Sequence, residues 1–164
     1  MQNRQRMKSH KQPTTYSAFD TAIYYLTFRD RSRKELCDKL TEKGYAEAEI
    51  TETIEKLMSY GYINDERYAT SYIRSQMRGK GRRRITMELS GKGVDSEMTR
   101  ELCTELVPDE AETIYDLLER RYGNLNFTDE GQMRRMYSFF ARRGFRYEDI
   151  RRAVSEYRKN IEKI

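Results

Sequence analysis

The chain has 164 residues, of which 37% are apolar and 36% charged, enough for a packed core but with no apolar run near the ~18 residues that a membrane span needs. A formal net charge of +5 favours acidic or polyanionic partners, and the first segment lacks the apolar stretch of a secretory signal, so a cytoplasmic chain with no membrane contact is expected. The lone histidine, His10, falls in a charged tail, and Cys37 and Cys103 lie far apart. These residues supply neither a histidine general base nor a zinc or redox site.

Residues 1–15 carry Arg4, Arg6, Lys8 and Lys11 with no acid and no apolar periodicity, which predicts a basic, disordered arm. From Tyr16 the apolar spacing becomes three and four. Ala18, Ala22, Ile23 and Leu26 share one face of a first helix, and Asp30-Arg31-Ser32 turns the chain. Ser32 followed by Glu35 forms a capping box that starts a second helix. Gly44 is placed to end it in the left-handed conformation. A third helix is expected to close at Gly61.

Asn64 is read as the cap of a fourth helix, with Asp65 and Glu66 complementing its positive end. Within it, Ala69-x2-Tyr72-Ile73 repeats Ala22-x2-Tyr25-Leu26. Gly79 and Gly81 interrupt the chain before a fifth helix that Gly93 ends, and Asp95 caps a sixth. Pro108 marks the next boundary. A long seventh helix, Asp109 to Tyr122, and a looser connection over 123–128 lead to two more, for nine in all.

Leu36-x3-Leu40-x2-Lys43-Gly44 recurs as Ile85-x3-Leu89-x2-Lys92-Gly93 and as Met136-x3-Phe140-x2-Arg143-Gly144. A period of about 50 residues marks a helical repeat. The apolar series Ile50/Ile54/Met58, Met98/Leu102/Leu106 and Ile150/Val154/Tyr157 follows the three glycines. The expected fold is all-α: three tandem three-helix repeats, 16–60, 61–107 and 108–164, forming an elongated, curved array. Units this small bury too little surface to offset chain entropy alone, which predicts hydrophobic faces shared between neighbours.

The sharpest electrostatic feature is Arg74, Arg78, Lys80, Arg82, Arg83 and Arg84, with no acid among them. Guanidinium forks suit phosphate, and the glycines flanking Lys80 would let a polyanion approach the backbone. These six, with Lys92, are the candidate partner-binding residues. Arg31, Lys39, Lys43, Arg142 and Arg143 are candidate additional contacts. Basic pairs in the last repeat are interleaved with acids and read as helix-face ion pairs. Of the 13 tyrosines, Tyr25 and Tyr72 lie on apolar faces, whereas Tyr24, Tyr60 and Tyr62 read as exposed. Arg78-Gly79-Lys80-Gly81 lacks the second half of a phosphate loop and has no preceding strand. Neither an enzyme nor a cofactor is expected.

Taken in order, Arg31-Ser32-x2-Glu35-Leu36-x2-Lys39-Leu40-x2-Lys43-Gly44-Tyr45, Gly61-Tyr62-Ile63-Asn64-Asp65-Glu66-Arg67-Tyr68-Ala69 and Gly79-Lys80-Gly81-x-Arg83-Arg84-Ile85-x3-Leu89-x3-Gly93 resemble the RecX family. The third repeat matches mainly through Phe139, Arg143-Gly144-Phe145, Ile150 and Val154. The resemblance implies a mainly negative regulator of the RecA recombinase. Such a regulator lies along the groove of the RecA filament on DNA and restrains ATP hydrolysis, strand exchange and coprotease activity. Arg82 departs from the family pattern, which often has proline there. The expected partners are the RecA filament and single- or double-stranded DNA, with the protein acting as a monomer. Two alternatives remain open: a direct DNA-binding, helix-turn-helix-like regulator, and a helical adaptor without nucleic-acid contact.

Overall fold

A computed structural model describes residues 15–107 and 109–162. The basic arm apart from Thr15, together with His10, Pro13 and the boundary residue Pro108, lies outside the described residues. Among the described residues there are nine helices and no strand: α1 (Ala18–Phe28), α2 (Arg33–Lys43), α3 (Glu47–Ser59), α4 (Asp65–Gln76), α5 (Arg82–Gly91), α6 (Ser96–Leu106), α7 (Glu110–Tyr122), α8 (Glu130–Arg142) and α9 (Tyr147–Ile161). They form tandem three-helix repeats. Two compact units divide the chain, Met1–Asn64 with α1–α3 and Asp65–Ile164 with α4–α9.

In the first unit, Ser17 caps α1 by accepting from the Asp20 amide, and Glu49 of α3 accepts from the Ala18 amide at 3.2 Å. The capping box at Ser32 and Glu35 is formed in both directions. Gly44 follows α2 at φ 95°, where any other residue would be strained. Leu36 and Leu40 point into a core with Ala18, Ala22, Ile50, Ile54, Leu57 and Ile63. Leu57, rather than the expected Met58, turns inward; Met58 is 49% exposed.

The second unit holds two further cores. Ile85 and Leu89 pack with Tyr68, Ala69, Ile73, Val94, Cys103 and Val107. Met136 and Phe140 pack with Ala111, Ile114, Leu118, Phe145, Ile150, Ala153, Val154 and Tyr157. The pairs Leu36/Leu40, Ile85/Leu89 and Met136/Phe140 are all 0% exposed, so the recurrent motif occupies one equivalent core register three times. In α6 the fully buried positions are Thr99 and Cys103, while Met98, Leu102 and Leu106 only flank the core. Thr99 is accommodated because its hydroxyl donates to the Asp95 carbonyl at 2.7 Å, leaving its methyl to pack.

The apolar residues of α4–α6 and α7–α9 form two separate clusters, not the shared hydrophobic face expected from the size of the repeats. Polar and backbone contacts join these two repeats instead. Phe140, ringed by Tyr122, Phe139 and Phe145, anchors the third core. Phe140→Ala should destabilise the protein by about 3–5 kcal/mol, read as a lowered urea midpoint.

Candidate polyanion-binding face

The basic segment begins where α4 ends. Arg74 lies in the last turn of α4, where a cation complements the negative helix end. Beyond it the Gly79 and Lys80 amides both donate to the Gln76 carbonyl at 3.0 Å, curling the chain into the turn that precedes α5. The first turn of α5 contains Arg82, Arg83 and Arg84 and no acid, and its N-cap, Gly81, has no side chain to cap it. Three cations at the positive end of a helix oppose its dipole. Two carboxylates offset most of that charge.

The first is Glu88, one turn further along α5. It accepts from Lys80 Nζ at 2.7 and 2.9 Å, from Arg84 Nε at 2.8 Å and from the Tyr72 hydroxyl at 2.7 Å. Burial works against its charged form, but the hydrogen bonds from Lys80, Tyr72 and Arg84 outweigh burial and hold the carboxyl at about 2. The same arrangement pushes Tyr72 up to about 12, through burial and then its bond to the Glu88 carboxylate. Lys92 completes this corner from above the Tyr72 ring, 5.7 Å from its centroid.

The second is Glu110 of α7, whose side chain is 0% exposed. One oxygen accepts the Arg82 amide at 2.6 Å, and the other lies 3.4 Å from Arg82 Nε. A residue two repeat elements away thus caps α5. Proline suits a first helical position because that amide is ordinarily an orphan. Arg82 differs from such a proline by donating the amide to Glu110.

Arg143, from the turn after α8, ties the same corner from the other side. Its Nη1 donates to the Gly79 carbonyl at 2.9 Å and its carbonyl accepts the Gly81 amide at 2.8 Å. Its guanidinium also lies 4.4 Å from the Phe139 ring centroid. A Cβ on Gly81 would overlap the backbone of Gly144 and Phe145, and one on Gly144, which has φ 85°, would overlap Arg84. Gly81, next to Lys80, therefore serves close approach by another repeat of the same chain rather than by a polyanion, whereas a Cβ on Gly79 would make only an ordinary contact with Arg143 at 3.6 Å.

Of the sequence-selected residues in this unit, Lys80, Arg82 and Arg84 are ion-paired, and Arg143 is engaged as above. Arg74, Arg78, Arg83 and Arg142 are exposed and make no ion pair among the described residues. Arg31 lies over the Tyr25 ring at 5.3 Å, Lys39 pairs with Glu42 at 2.8 Å, and Lys43 borders a hollow lined by Tyr16, Tyr24 and Tyr25. Tyr24, Tyr60 and Tyr62 are exposed as expected.

Two arginines that the sequence reading did not single out, Arg100 and Arg146, share a cleft with Arg82 and Arg83. Arg146 could have been noticed. It fills the N-cap of α9, where Ser, Thr, Asp or Asn is preferred, and makes no capping bond.

The fold and this corner define an all-helical protein of tandem three-helix repeats with a face of exposed arginines beside internally neutralised ones. Its three repeats match the RecX first, second and third three-helix domains over residues 18–57, 64–101 and 108–154. Regulatory protein RecX of Vibrio vulnificus is 34% identical over 145 residues, covering 88% of this chain and 95% of its own. Regulatory protein RecX of Clostridium perfringens is also 34% identical, over 72% of this chain and 58% of its own. The crystal structure of RecX from Lactobacillus salivarius superposes with a TM-score of 0.75 at 31% identity, covering 85% of this chain and 94% of that one. The chain belongs to the RecX family of regulatory proteins.

The Glu88 carboxyl is lowered from an ordinary 4.5 to about 2, so its stabilisation is complete above pH 4.5 and is lost as pH falls through 2. Glu88→Gln should cost about 1–3 kcal/mol at neutral pH and flatten the acid-side loss of stability, as followed by urea unfolding across pH. Gly81→Ala should cost about 1–3 kcal/mol by forcing the two repeats apart, read as a lowered Tm.

Proposed function

We propose that the protein is a mainly negative regulator of the RecA recombinase, acting as a cytoplasmic monomer in recombination, DNA repair and the SOS response. It binds along the groove of the RecA nucleoprotein filament and restrains ATP hydrolysis, strand exchange and coprotease activity. The observation that carries this reading is the ordered match of all three repeats to the RecX domains, supported by relatives named regulatory protein RecX over nearly the whole chain.

The physical features suit regulation by occupancy. Repeats with separate cores present separate surfaces, and several modest contacts to one polymeric partner reinforce one another through effective concentration. The exposed set Arg74, Arg78 and Arg83 supplies charge for a filament, whether its acidic protein surface or its DNA. Lys80, Arg82 and Arg84 act mainly by shaping that surface.

Titrating the protein into RecA that is hydrolysing ATP on single-stranded DNA should suppress hydrolysis at concentrations too low to coat bare DNA. The variant with Arg74, Arg78 and Arg83 all changed to Ala should need about tenfold more protein for the same suppression, with less salt dependence, while keeping its Tm. Undiminished hydrolysis in the presence of the wild-type protein would exclude the reading.

A further inference from the structure

Arg83 of α5, Arg100 of α6 and Arg146 at the head of α9 line a cleft of about 480 Å3, with Met87 and the buried Cys103 also in its wall. No acidic residue lines this cleft, and the fourth arginine in its wall, Arg82, is already matched by Glu110. Arg100 spends only its Nε, on the Ser96 carbonyl of its own helix at 3.0 Å. Arg83 and Arg146 also border an adjoining hollow with Tyr147 and Glu148. Tyr147 is 65% exposed and is backed by Tyr137 of α8, with centroids 5.4 Å apart and ring planes at 29°.

Like charges gathered on one cleft repel one another; Arg83 lies in the first turn of α5, which carries no acid, whereas Arg146 heads α9, whose first turn holds Glu148 and Asp149. An anion in the cleft relieves that repulsion, and guanidinium forks match phosphate oxygens in particular. The braced tyrosine beside them offers a flat surface of the kind on which an unpaired base stacks. A duplex presents phosphate but hides the faces of its bases. Glu148 repels phosphate from the Tyr147 side and so directs it toward Arg100.

We propose that this cleft is a direct binding site for single-stranded nucleic acid, with a backbone phosphate held by Arg83, Arg100 and Arg146 and the neighbouring base stacked on Tyr147. The contact needs no recombinase and so stands apart from the RecA reading.

The test is fluorescence anisotropy of labelled oligothymidylate and oligouridylate with the full chain, no recombinase present, over a series of salt concentrations. R83A/R146A should bind about tenfold more weakly, and the slope of log affinity against log salt should fall by about 0.7, for the one backbone phosphate these arginines share. Y147A should weaken binding by about tenfold with the slope unchanged. R134A, an exposed change elsewhere on α8, should match wild type. All four residues changed are surface residues, and unchanged Tm values would exclude unfolding as the cause.

Comparable loss on both oligonucleotides fits a site reading phosphate and base alone; loss confined to one assigns the natural ligand to that sugar. Wild-type affinity and slope in R83A/R146A, or preference for duplex with Y147A neutral, would overturn the inference. So would loss of RecA inhibition with full oligonucleotide affinity, which assigns the cleft to an acidic protein surface. Oligonucleotide binding without any effect on RecA would instead remove the proposed function and leave this site standing.

Discussion

The carboxylate of Glu110, wholly enclosed between α7 and α5, is the contact on which the arrangement of the second unit turns. A buried ion pair roughly offsets its own desolvation, so its value lies less in net stability than in the alternatives it forbids. If α7 were displaced by even one position, a buried carboxylate would be left uncompensated and the first turn of α5, with its three arginines, would lose its cap. That penalty selects one register between the second and third repeats. The Gly81 and Gly144 backbones then close to a distance that admits no side chain, and Arg143 bonds across the gap in both directions.

This polar seam explains how two small cores remain separate yet act as one compact unit. Each buries aliphatic and aromatic side chains completely, contributing about 1.5–3 kcal/mol per large residue. The seam adds directional bonds, not apolar area. Apolar faces slide over one another at little cost, whereas a capped helix and a pair of interlocked glycines do not. The geometry of the arginine face is therefore set by residues from two repeats.

Much of the fold was legible because helix periodicity and caps are local properties. Leu36, Leu40, Ile85, Leu89, Met136 and Phe140 announced the core through spacing alone, and Ser32 with Glu35 announced a helix start. Thr99 escaped because burial of a hydroxyl depends on the carbonyl one turn back, which apolar counting ignores. The candidate face was legible only as charge. Arg84 stands four residues before Glu88, a helix spacing readable in sequence, but only the fold brings Lys80 to the same carboxylate and leaves Arg83 out. Glu110 lies 28 residues from its amide partner, with no local pattern linking them. Gly81 signalled close approach correctly and Gly79 did not, and a glycine cannot say what approaches it.

The division of the cations has a functional logic. A net charge of +5 on 164 residues is modest and would by itself give weak, diffuse attraction screened over about 10 Å in ordinary salt. Tying Lys80, Arg82 and Arg84 to carboxylates removes them from that diffuse field but uses them to hold the first turn of α5 rigid, so Arg83 projects from a defined position beside Arg100 and Arg146. An arginine that projects from a fixed backbone loses less freedom when it meets an anion than one on a mobile segment, and the spacing of such arginines then matters as well as their charge.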